Sequence, residues 1–186
     1  MKYILASKSP RRNELFSLVV DEFRTIVADV DERSVRADSP SELCMKLAEL
    51  KCKAVAQDYA EDCVIGADTI VAVSGEVLGK PEDEEDAARM LRMLSGRSHH
   101  VLTGICIKAP SADIVTYCDT EVFFKDLSEE EIDEYIRSGD PFDKAGAYGI
   151  QNGAARFCRK ISGDFFNVVG LPVNLVYEKM RGSGLL

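Results

Sequence analysis

The chain has 186 residues, 46% of them hydrophobic and 30% charged, with a net charge of −9, so residues 1–186 are expected to form a single domain with a real core. The acidic balance disfavours a nucleic-acid backbone as the main partner, because that binding relies on a wide basic surface. It leaves room for a small anionic ligand wherever a few cations converge.

No run approaches the ~20 apolar residues of a membrane span, and the apolar stretch after Met1 is too short for a signal peptide. A cytoplasmic protein without a membrane partner is therefore expected. Six cysteines, Cys44, Cys52, Cys63, Cys106, Cys118 and Cys158, show no C-x-x-C and no paired spacing with the two histidines. That pattern argues against a zinc site or a disulfide framework and for reduced, mostly buried thiols.

Tyr3-Ile4-Leu5 reads as a first strand running into Ser7-Lys8-Ser9-Pro10-Arg11-Arg12. Ser9 before Pro10 marks a helix start, with Leu15, Leu18 and Val19 as its apolar face. Free backbone N–H groups and two guanidinium forks coincide there, which suits phosphate. A second strand is expected over Phe23–Val27. The acidic stretch Asp29-Val30-Asp31-Glu32 that follows serves either as a solvated loop or as oxygen ligands for a hard divalent cation.

Ser39-Pro40-Ser41-Glu42 has the form of a capping box and opens a helix to about Tyr59. Leu43, Leu47, Leu50 and Ala54 form its buried stripe, and Lys51 borders that stripe. Such a lysine either snorkels or points its charge into a cleft.

Cys63 to Val73 is a Val- and Ile-rich run that reads as a buried strand, with Gly66 marking a bulge or a close backbone approach. Asp68 lies in its middle. A carboxylate among apolar neighbours must be paired, hydrogen-bonded, metal-bound or shifted in pKa. Ser74-Gly75 then turns a hairpin back through Glu76–Leu78 to Gly79-Lys80-Pro81, a rigid loop that lacks the Ser or Thr of a P-loop.

Asp83 to Leu94 predicts an amphipathic helix closed by Gly96. Two long strands follow, His99–Ile107 and Ile114–Phe124, joined around Pro110-Ser111. Neighbouring side chains on a strand face opposite ways, so at most one of His99 and His100 points inward. Ser128 to Glu131 is a second capping box, its helix ending at Gly139. The glycine-punctuated segment Asp140–Gln151 carries Lys144 and an amide able to read a base edge. A strand over Arg156–Ile161, a turn at Ser162-Gly163 and a helix over Pro172–Met180 complete the chain.

Several of these stretches together resemble the Maf family of nucleoside triphosphate pyrophosphatases. They are the S-x-S-P-R-R box at Ser7–Arg12, G-A-D-T at Gly66–Thr69, G-K-P at Gly79–Pro81, G-R-S-H-x-V-x-T-G ending at Gly104, D-K-A-G-A-Y-G-I-Q at Asp143–Gln151 and V-V-G-L-P near the end. The resemblance implies a Maf/ITPase-like α/β fold: a twisted mixed sheet flanked by helices, with two lobes around a nucleotide-binding cleft, assembled as a homodimer. It implies hydrolysis of a nucleoside triphosphate between the α and β phosphorus atoms, and it places the chain in the branch acting on dTTP and UTP.

In that reading Asp68 is the catalytic carboxylate, and Asp68 with Glu32 holds Mg²⁺ or Mn²⁺. Arg11, Arg12, Lys51, Lys80 and Lys144 cradle the polyphosphate. Ser7 and Ser9 have no histidine base nearby in sequence, so they are expected to bind substrate, Ser9 by donating to phosphate, rather than to act as nucleophiles. Thr69 and Gln151 hydrogen-bond the pyrimidine edge, and with Arg12 match the positions tied to this branch. The alternative is a nucleotide-binding regulator of septum formation in cell division, with turnover incidental.

Overall fold

The computed structural model describes residues 1–186. The run from Cys63 to Val73 is one strand, β3, in which apolar residues are buried without alternation, as in a strand covered on both faces. β1 (Tyr3–Ala6) lies parallel to it, Tyr3 opposite Cys63 and Ala6 opposite Gly66. β2 is only Arg24–Thr25, shorter than the sequence suggests, and pairs in parallel with β1. β4 (Glu76–Leu78) closes an antiparallel hairpin on β3.

With β5 (Ser98–Ala109), β6 (Ala112–Phe124) and β7 (Cys158–Ser162) these strands make a seven-stranded mixed sheet in the order β2-β1-β3-β5-β6-β7, with β4 on β3. The helices are α1 (Pro10–Phe16), α2 (Pro40–Ala56), α3 (Glu84–Leu94), α4 (Glu129–Arg137), α5 (Phe165–Val169) and α6 (Val173–Gly182). The fold is the mixed α/β type expected. No helix is long and apolar enough to cross a membrane.

The chain divides into two compact units, and the first comprises Met1–Thr69, Thr103–Cys118 and Gly170–Leu186. Here α2 lies directly on the sheet. A Cβ on Gly66 would sit 2.5 Å from the Ala48 carbonyl oxygen, and one on Gly104 would sit 2.2 Å from that of Cys44. So close an approach admits only small side chains at the contact positions Cys44, Ala48 and Cys52.

The buried stripe is accordingly Cys44, Leu47, Ala48, Cys52 and Val55, rotated from the predicted one, and Leu43, Leu50 and Ala54 are only half-buried. Ile4, Ala6, Val64 and Cys106 complete this core. Ser39 caps α2 by accepting from the Glu42 N–H, but the Glu42 carboxylate reaches the Asp38 N–H at 2.8 Å, so the box is shifted by one residue. α1 ends at Phe16 and buries Leu15 and Phe16, whereas Leu18 lies beyond its end and is exposed.

The second unit comprises Ile70–Leu102 and Asp119–Val169. Its α4 opens on a complete capping box, Ser128 and Glu131 each accepting from the other's backbone N–H. Around α4 and β6 the rings of Tyr135, Phe157, Phe124, Tyr148 and His99 meet edge to face. As strand alternation requires, His99 is buried while His100 is exposed and paired with Asp119.

His99 Nε2 meets the Tyr148 hydroxyl at 2.8 Å, and Nδ1 has no hydrogen-bond partner. Burial, with a smaller push from His100, pulls this imidazole down from 6.5 to about 3. The native state therefore stays neutral where the unfolded chain takes up a proton, so stability falls as pH drops below 6.5 and keeps falling towards about 3. The His99 contribution to that slope is at most about 1.4 kcal/mol per pH unit. Thermal melts across this window should show a flatter pH dependence for His99→Gln than for the native chain. Equal slopes would rule out His99 as the titrating group.

Candidate active site

In the first unit, the middle of β3 places Asp68 at 8% exposure, where a lone charge is costly. α2 supplies the compensation. Lys51, one turn after Leu47 at the border of the buried stripe, puts Nζ 2.5 Å from Asp68 Oδ1 and 3.1 Å from Glu32 Oε1. Glu32 opens a 3-10 turn that Asp31 caps by accepting from the Arg33 N–H. The buried carboxylate is thus paired, and a second carboxylate shares its cation.

Arg12 extends from α1, whose N-cap Ser9 accepts from the Arg12 N–H, while Ser7 Oγ accepts from the Ser9 N–H at 3.1 Å. Both serines therefore shape the turn. The Arg12 guanidinium donates from Nε to the Gly170 carbonyl at 2.8 Å and from Nη2 to Thr69 Oγ1 at 3.0 Å. Thr69 Oγ1 also meets Thr103 Oγ1 at 2.9 Å. Burial holds Arg12 below its ordinary pKa; Asp68 and Glu32 oppose that shift and Arg11 reinforces it. Arg11, Arg12, Glu32, Lys51, Asp68 and Thr69 thus belong to one electrostatic cluster.

Sequence reasoning missed two groups that hydrogen-bond to this cluster, Thr103 and the Gly170 carbonyl. Thr103 lies in a run whose signal was a family motif only, and the Gly170 carbonyl carries no side-chain signal at all.

Lys80, Lys144 and Gln151 lie in the second unit. The Gly146 N–H donates to the Gly79 carbonyl at 2.9 Å and ties the Lys80 loop to the Lys144 segment. Gly146 has φ +70°, and a Cβ there would also press on Val71, so glycine suits the junction. Lys80 is exposed. Lys144 is buried, and its Nζ donates to the Asp140 carbonyl and carboxylate and to Asp143 at 2.7, 3.0 and 2.6 Å. Gln151 is exposed in a turn.

No group of three or more His, Cys, Asp or Glu forms a metal cage. Asp68 and Glu32 share the Lys51 ammonium, so a hard cation, which takes one or two carboxylates, would have to use the carboxylate oxygens that Lys51 leaves open.

A family model described as Maf-like protein matches residues 2–183. A dTTP/UTP pyrophosphatase of Geobacillus sp. (strain WCH70) is 50% identical over 181 residues, 97% of each chain. One of Koribacter versatilis (strain Ellin345) is 50% identical over 186 residues, all of this chain and 96% of that one. Among solved structures, the Ham1 protein of Staphylococcus aureus has a TM-score of 0.57 at 16% identity, covering 98% of this chain and 99% of that one. A HAM1 protein from Coxiella burnetii has a TM-score of 0.55 at 13% identity with the same coverage, so these two share the fold. Matched over nearly its whole length by the family model and by relatives of half-identical sequence, the chain belongs to the Maf family.

Proposed function

We propose that this Maf protein hydrolyses dTTP and UTP to the monophosphate and pyrophosphate, as housekeeping of the nucleotide pool. Residues 1–186 act as one domain, in a cytoplasmic homodimer. The observation that carries the reading is the Arg12 guanidinium, hydrogen-bonded to Thr69 and coupled electrostatically to Asp68 and Glu32. That cluster combines an anion-gripping fork from α1 with an acid–base carboxylate and a hydroxyl from adjacent positions of β3, and relatives at 50% identity are dTTP/UTP pyrophosphatases.

Arg11, Arg12, Lys51 and Lys80 bind the polyphosphate and offset the charge that builds up as pyrophosphate leaves. Lys144 is paired with Asp140 and Asp143 as Lys51 is with Asp68 and Glu32, so phosphate must compete with two carboxylates for each of these cations. Asp68 orients the attacking water and takes its proton. With Oδ1 held by Lys51, Oδ2 is the accepting atom. The water oxygen bonds to phosphorus, the bridging P–O bond breaks, and pyrophosphate departs with the electron pair. Mg²⁺ or Mn²⁺, held by Asp68 and Glu32 when bound, supplies Lewis-acid polarisation of the phosphoryl oxygens.

Thr69 and Gln151 read the pyrimidine edge. Uracil and thymine alternate acceptors with a donor, which a hydroxyl and an amide match, and an unpaired group in a site built this way discriminates strongly. Phosphorus NMR of a reaction with dTTP and Mg²⁺ should show one pyrophosphate per dTMP formed. Release of orthophosphate would make the protein a phosphatase and overturn the assignment.

A further inference from the structure

We infer that Tyr135 and Asp140 are positioning residues that hold the Gln151 turn in place and so set base selectivity; the inference rests on the reading of Gln151 as a base reader. Gln151 sits in a turn closed by the Asn152 N–H donating to the Gly149 carbonyl at 3.2 Å. Both feet of that turn are tethered. The Gly149 N–H donates to the Tyr135 hydroxyl oxygen at 3.1 Å, and Asn152 Nδ2 donates to Asp140 Oδ1 at 2.7 Å. The two anchors are joined, since the Tyr135 hydroxyl donates to Asp140 Oδ2 at 2.5 Å.

The grip is also steric. A Cβ on Gly149 would lie 2.6 Å from Lys144 Cε, and one on Gly153 would lie 3.2 Å from the Tyr135 ring. Tyr135 is 1% exposed, and its ring is fixed edge to face against Phe157. Burial alone would raise the Asp140 carboxyl, but hydrogen bonds from Tyr135, Asn152 and Lys144 outweigh it and hold the group below its ordinary value. The anchor is therefore a charged acceptor, and hydrogen bonds to a charged group are the stronger kind. A rigid ring at one foot and an ionised carboxylate at the other leave the turn little freedom, while the residue it presents stays exposed.

The test compares kinetics on dTTP and dCTP for Tyr135→Phe, which keeps the ring and deletes the hydroxyl, with Gln151→Ala as the reference. A buried Ile132→Val on the same helix is the control, because it loosens α4 without touching the network. Tyr135→Phe is expected to raise KM for dTTP about tenfold and to cut the dTTP/dCTP preference about tenfold, with kcat within about twofold. Ile132→Val should leave the preference unchanged. If Tyr135→Phe does not fold, Asp140→Asn replaces it with the same expectation.

Loss of preference in both Gln151→Ala and Tyr135→Phe supports the inference. Loss in Gln151→Ala alone overturns the inference and leaves the Gln151 reading standing. No change in Gln151→Ala overturns both.

Discussion

Asp68→Asn is expected to lower dTTP turnover about 10³-fold, within the range a positioned acid–base group supplies, while nucleotide binding changes only a few-fold. The substitution keeps the shape of the side chain and removes its charge and its basicity. Lys51 then retains Glu32 as a partner, so no buried cation is stranded and the fold should survive. Asparagine can still accept from Lys51, which keeps the polyphosphate cations in place. It cannot take a proton from water, and it is a poorer ligand for a hard cation. Pyrophosphate release measures the first effect, and calorimetry with a non-hydrolysable dTTP analogue measures the second. Native turnover in the variant would remove Asp68 from the chemistry, and loss of binding with loss of turnover would make it a structural residue.

Gly104→Ala carries the largest expected effect on stability. Its methyl would lie 2.2 Å from the Cys44 carbonyl oxygen and 2.6 Å from the Met45 nitrogen, and both are helix backbone that no rotamer change can move. α2 must shift as a body. Overpacking of this kind costs about 3 kcal/mol or more, a fall in melting temperature of roughly 6–12 °C for a chain of this size. Because α2 also carries Lys51, the folded fraction should lose activity too. Gly182→Ala is the contrast: nothing lies within 4 Å of its added Cβ. It should be neutral, or stabilising by up to about 1 kcal/mol. Scanning calorimetry of the two variants separates close packing from a general intolerance of alanine, and equal melting points would refute the packing account.

Local chemistry was legible in the sequence wherever a pattern is self-contained. The Ser128–Glu131 capping box, the buried strand over Cys63–Val73 and the opposed histidines all follow from periodicity and cap rules. The expense of a carboxylate inside that strand also pointed to a partner, and Lys51 is that partner.

What stayed hidden depends on contacts distant in sequence. The α2 stripe was misread because leucine periodicity carries no information about Gly66 and Gly104, which bring strand backbone so close that Cys44, Ala48 and Cys52 must take the inner face. Leu18 was assigned to a helix face that ends at Phe16. The Tyr135–Asp140–Asn152 chain was invisible for a related reason: each member is an ordinary polar residue until the fold brings the three together.

The proposed activity rests on the triphosphate being gripped beside Asp68. Crystals grown with α,β-methylene dTTP and Mn²⁺ test this directly. The phosphates should contact Arg12 and Lys51, with the manganese anomalous peak on the Asp68 and Glu32 carboxylates. A nucleotide whose phosphates make no contact with Arg12 or Lys51, or a manganese peak away from Asp68, would contradict it.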